Sequence, residues 1–110
     1  MQKVELKKDK YKKAREGYSK LLEIKCEKCG NLVTLYQKDG PGALKRIYLD
    51  RIFSPEKLAK LQNVVIRKVP NLICSKCKQV IDIPYIYQKE KRPAFRLFEG
   101  SVTKKISKVR

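Results

Sequence analysis

Histidine and tryptophan are absent from this chain, methionine occurs once, and cysteine occurs only four times. Without imidazole, the usual general base and the nucleophile–base pairs built on it are missing. Acidic residues are scarce: 11 Asp and Glu stand against 28 Lys and Arg, a net charge of +17. Four carboxylates of the kind that binds magnesium, Asp39, Asp50, Asp82 and Glu90, follow no nuclease-like spacing. The expectation is a protein that is not an enzyme. Long apolar runs are lacking too, so nothing approaches the roughly 20 residues of a membrane-spanning helix. The lysine-rich start carries no apolar core of a secretory signal. A cytoplasmic location is expected, and there thiols stay reduced.

The four cysteines stand as two matched pairs: Cys26 and Cys29 bracket Glu27-Lys28, and Cys74 and Cys77 bracket Ser75-Lys76. Two residues between cysteines let both sulfurs face one point from a tight turn. Two such turns supply the closed tetrahedral set of a structural zinc site, with no position left for substrate. Zinc on Cys26, Cys29, Cys74 and Cys77 is therefore the expected cofactor. Four thiolates also suit an iron–sulfur cluster or a rubredoxin-like iron, which the spacing leaves open. A redox pair of the thioredoxin kind uses one such motif on a βαβ background, not two alike.

The surroundings of the two pairs repeat. Leu22 to Val33 aligns with Pro70 to Ile81, each reading apolar strand, knuckle, apolar strand. The residue after the second cysteine of a knuckle commonly takes a positive φ, which Gly30 adopts freely and Lys78 only with modest strain. Four thiolates on a divalent ion leave a charge of about −2, and Lys25, Lys28, Lys76 and Lys78 are placed to offset it.

The remaining charge divides unevenly. Residues 1–16 hold seven basic and three acidic residues and read as a basic, flexible N-terminal arm. Residues 17–99 keep 17 basic against eight acidic residues and form the expected zinc-binding β domain. Residues 100–110, with four basic and no acidic residues, read as a basic C-terminal tail. Excess positive charge on so small a body points to a polyanionic partner.

Between the knuckles, Lys38 to Gly42 is a turn, its two glycines flanking a proline. Leu44 to Ile52 leans to a strand, with Ile47 and Leu49 on one face and Arg46, Tyr48 and Asp50 on the other. Ser54-Pro55-Glu56 starts a short helix, with a hydroxyl cap and an early proline. The helix is expected to run to about Gln62, with Leu58 and Leu61 inward. Val64-Val65-Ile66 then begins a strand. Pro84 implies an edge or a bend after the second knuckle. Pro93 to Phe98 alternates, with Phe95 and Leu97 opposed to Arg96 and Phe98. The fold class expected is mainly β: small antiparallel sheets and hairpins joined by a four-cysteine zinc site, with one short helix.

The 44 residues between Cys29 and Cys74 exceed the spacer of ordinary zinc ribbons. Over residues 18–98 the pattern resembles the β-tent group, in which knuckles on separate hairpins join two sheets. Methionine sulfoxide reductase B, Yippee-like domains and the cereblon ligand domain belong to that group. The resemblance implies the fold and no activity. The reductases need a further redox cysteine and histidines, and the cereblon cage needs tryptophans. This chain has none of these.

The function expected is a nucleic-acid-binding module, RNA or DNA, contacted through Lys45, Arg46, Tyr48 and Arg51. These combine cations for phosphate with an aromatic ring for bases. The competing account puts Tyr48 in the core and the basic residues on a solvated face. A second function, a protein-interaction or small-ligand adaptor of the β-tent type, would use Tyr36, Tyr85 and Tyr87.

Overall fold

The computed structural model describes residues 19–40, 43–98 and 100–107. The expected arm at 1–16, and Pro41 and Gly42 of the expected turn, lie outside them. Two four-stranded antiparallel sheets make up the fold, as expected of a mainly β chain. The strands are β1 (Ser19–Cys26), β2 (Leu32–Asp39), β3 (Arg46–Tyr48), β4 (Ile52–Ser54), β5 (Leu72–Ile73), β6 (Val80–Tyr87), β7 (Arg92–Leu97) and β8 (Val102–Ile106). One sheet runs β4-β2-β1-β8 and the other β3-β7-β6-β5.

Alternation builds the first sheet. Leu22, Ile24 and Cys26 of β1 point inward, and Leu22 lies opposite Tyr36 of β2. The second sheet contributes Ile47, Ile81 and Phe95, all with no exposed surface. Burying side chains of this size contributes roughly 1.5–3 kcal/mol each. Tyr36 ties the layers together, because its hydroxyl accepts a hydrogen bond from the Tyr48 backbone N–H at 2.9 Å.

The stretch expected as one strand over Leu44 to Ile52 is strand, turn, strand. Arg46–Tyr48 joins the second sheet, a 3-10 turn at Leu49–Arg51 crosses over, and Ile52–Ser54 joins the first. A single run thus serves both layers, which explains why neither period of alternation persists along it. Ile47 and Leu49 are buried together as expected.

The short helix is α1 (Glu56–Ala59), followed by a 3-10 segment at Lys60–Asn63. Leu58 and Leu61 pack against the core cluster. Ser54 does not cap it: Pro55 takes the cap position without a side-chain bond, while the Ser54 carbonyl accepts from the Thr34 hydroxyl at 2.6 Å. No strand forms at Val64–Ile66; a 3-10 turn spans Ile66–Lys68 instead, and Val65 is exposed. Branched residues favour strands only where a neighbouring strand or packed face receives them.

The expected C-terminal tail is in part a strand. Val102–Ile106 pairs along β1, with Leu22 opposite Ile106 and Cys26 opposite Val102. Its side chains from Thr103 to Ile106 are exposed, so it docks through backbone hydrogen bonds that periodicity does not announce. Pro84 fits its expected setting. On that side β5 faces β6 only from Val80 to Asp82, and beyond it the strand is an edge where a missing N–H costs nothing.

Asp82 is the discordant core residue. It has no exposed surface, lies opposite Leu72 and Leu97, and neither carboxylate oxygen has a hydrogen-bond partner. Burial raises its pKa to about 8, against 3.8 ordinarily. A carboxyl group raised in the folded state binds a proton that the unfolded chain has already released. Stability from this group therefore falls as pH rises from about 4 to about 8 and levels off above. Asp82→Asn removes that slope. The difference in melting temperature, variant minus parent, is expected to grow between pH 5 and pH 8 and correspond to a few kcal/mol at most. A pH-independent difference by calorimetry would show that Asp82 has a buried partner.

Candidate metal centre and basic face

β1 delivers Cys26 at its last position, and the turn that follows supplies Cys29; Cys74 and Cys77 sit in the turn between β5 and β6. Both turns close by the same backbone bonds. The Cys26 N–H donates to the Asn31 carbonyl and the Gly30 N–H to the Cys26 carbonyl, at 2.9 and 2.8 Å. In the second knuckle the Cys74 N–H donates to the Gln79 carbonyl and the Lys78 N–H to the Cys74 carbonyl, both at 2.9 Å. The φ angles after the second cysteines are +76° at Gly30 and +65° at Lys78. Lys78 holds a left-handed conformation that costs a non-glycine residue roughly 1 kcal/mol.

The four sulfurs lie within 4.8 Å of one another, with Cys26 to Cys77 at 3.7 Å and Cys29 to Cys74 at 3.5 Å. No disulfide joins them. A tetrahedral ion with metal–sulfur bonds of about 2.3 Å spaces its sulfurs by about 3.8 Å. The set fits such an ion, and because each sheet supplies one knuckle, the ion would clasp the two sheets.

The local field favours thiolates unevenly. Backbone N–H groups of Cys77 and Lys76 aim at the Cys74 sulfur and lower its pKa to about 6. At Cys29 the Asn31 N–H pulls the same way, but burial and the three neighbouring sulfurs outweigh it and push the thiol up to about 11. Four sulfurs this close cannot all ionise unaided, and a cation removes the conflict. The Asn31 side chain spans the knuckles, donating to the Ser75 hydroxyl at 3.2 Å with the Cys74 sulfur at 4.0 Å. Lys28, Lys76 and Lys78 are exposed on these turns.

The four residues expected to contact nucleic acid do not share one surface. Arg51 is 1% exposed and its Nε donates to Asp39 at 2.9 Å. The same carboxylate accepts from Ser19 at 2.6 Å and from Gln37 at 2.8 Å. Arg51 is thus a core cation and cannot reach a phosphate. Tyr48 is buried as well, its ring beneath the Arg92 guanidinium at 3.7 Å. Arg92 is held in turn by Asp50 at 2.8 Å and Glu90 at 3.3 Å. Lys45 is exposed and Arg46 half-exposed, so these two remain on the surface. Of the tyrosines expected on one adaptor face, Tyr36 is buried between the sheets, while Tyr85 and Tyr87 are half-buried on β6.

Sequence reading missed a different grouping. Arg46 pairs in register with Arg96, which pairs with Ile83, and one row along Tyr48, Ala94 and Tyr85 stand opposite one another. These rows form the face of the second sheet that turns away from Phe95 and Ile47. Alternation along β6 carried the signal, since Ile83, Tyr85 and Tyr87 share a side. Arg46 lies over the Tyr87 ring at 3.9 Å, and its Nε donates to the Tyr85 hydroxyl at 3.1 Å. The chain matches no protein-family model, no curated protein and no solved structure.

Proposed function

We propose that this chain is a zinc-clasped β domain that binds nucleic acid through the outer face of the β3-β7-β6-β5 sheet. The observation that carries it is Arg46 opposite Arg96, with Tyr85 and Tyr87 alongside. Arg96 is exposed and has no ion-pair partner among the described residues. Like charges directly opposite on a sheet are destabilising, and a polyanion offsets that cost. Zinc is the ion proposed because four sulfur donors at tetrahedral spacing are its commonest structural set. The clasp between two sheets supports the likeness to the β-tent group. No catalytic step is proposed, because the chain has no histidine and all four thiols are assigned to the metal.

Titrating the zinc-loaded chain with a labelled oligonucleotide across a salt series tests this. The parent should lose affinity steeply with salt, and Arg46→Ala/Arg96→Ala should flatten the slope by about 2, one per lost phosphate contact. An unchanged slope would move the contact to another surface.

A cleft of about 620 Å³ favours a second use of the fold. It opens beside the metal centre between Leu32–Thr34, Pro55–Leu58 and Pro70–Ser75, with Leu32 and Ile73 exposed at its wall. A small apolar ligand or peptide segment held there would stay bound at high salt and be lost in Leu32→Asp.

A further inference from the structure

We propose that the Arg46 guanidinium is a stacking plate for an unpaired base, so the face selects single-stranded over duplex nucleic acid; this deepens the nucleic-acid reading above and rests on it. The plate is preset. Its carbon lies 3.9 Å from the Tyr87 ring centroid, close enough for the planar group to lie on the ring. Its Nε donates to the Tyr85 hydroxyl at 3.1 Å and one terminal nitrogen to the Tyr48 hydroxyl at 3.4 Å. Burial alone would weaken the charge, but these hydroxyls outweigh it and raise the Arg46 pKa. Arg46 is half-buried, so part of the residue lies at the surface. Bases in single strands stack on arginine planes and aromatic rings, whereas a duplex keeps its base faces inside.

The surroundings favour the same ligand. Tyr85 and Tyr87 are half-buried on the same side of β6, and Ala94 between Tyr85 and Tyr48 adds no bulk. Arg96, directly opposite Arg46, stands beside the plate as an exposed cation, placed for a phosphate next to a stacked base. The only α-helix among the described residues spans four residues, too short to read a major groove.

The experiment compares three probes on the full zinc-loaded chain: a twelve-nucleotide oligothymidine, an abasic strand with the same phosphates, and a duplex of the same length. The oligothymidine is expected to bind at least about tenfold more tightly than the abasic strand, and more tightly than the duplex. Arg46→Lys, which keeps the charge and loses the plane, should bring the thymidine-to-abasic affinity ratio close to one. Equal affinity for oligothymidine and abasic strand, or a duplex preferred, overturns the plate and leaves a phosphate-binding face intact. A preference that survives Arg46→Lys assigns stacking to other residues and equally overturns it. Binding of none of the three probes overturns both proposals. The thymidine-to-abasic ratio of the parent needs no variant, so a poorly folding Arg46→Lys does not block the test.

Discussion

Cys74→Ser is expected to abolish cooperative unfolding of this domain. Cys74 is fully buried, and its sulfur receives the backbone N–H groups of Cys77 and Lys76, which favour its thiolate. Serine places a hydroxyl there that binds zinc poorly and leaves the remaining three sulfurs under-coordinated. A structural zinc contributes about 10–16 kcal/mol in small zinc-finger peptides, while a domain of this size has a total stability of about 5–15 kcal/mol. Loss of the clasp therefore exceeds what the core retains. The variant should show no sharp thermal transition by circular dichroism, and a chelator should do the same to the parent. A melting temperature within a few degrees of the parent in both experiments would remove the metal from the account of stability.

The second large effect separates scaffold from surface. Arg51→Ala should destabilise the fold by about 3–5 kcal/mol, because it strands the Asp39 carboxylate in a site 5% exposed. For a small domain that corresponds to a fall in melting temperature of more than about 10 °C. Asp39→Asn/Arg51→Met should recover at least half of the loss, since no charge then remains unpaired in the core. At a temperature where the variant is still folded, its affinity for oligonucleotides should match the parent. Arg46→Lys behaves in the opposite way, with stability nearly kept and base preference lost. Thermal melts and binding isotherms on the same two variants would dissect the basic stretch. An Arg51→Ala chain that melts normally but binds weakly would restore Arg51 as a contact residue.

That contrast marks where the sequence stops being informative. The knuckles were legible because their information is local: cysteine spacing, glycine at the positive φ of the first turn, and apolar strands on each side. The hairpin β6 and β7 was legible from alternation, with Phe95 inside and Arg96 outside. Arg51 was not, because its partner Asp39 lies across the fold at the end of β2, and a charge pattern does not say which cation turns inward. β8 was hidden for a related reason. Its lysines face solvent, and only the ladder to β1 holds it, so composition made it look like a tail. The segment at Val64–Ile66 misled in reverse, offering strand-forming residues where no partner strand lies among the described residues. In each case the missing information was tertiary pairing.

The clasp is the claim on which the rest depends, and native mass spectrometry with thiol alkylation addresses it most directly. The account predicts one zinc per chain, with Cys26, Cys29, Cys74 and Cys77 all protected from alkylation until a chelator removes the ion. A purified, folded chain with no bound metal, or with its four cysteines paired as disulfides, would contradict it.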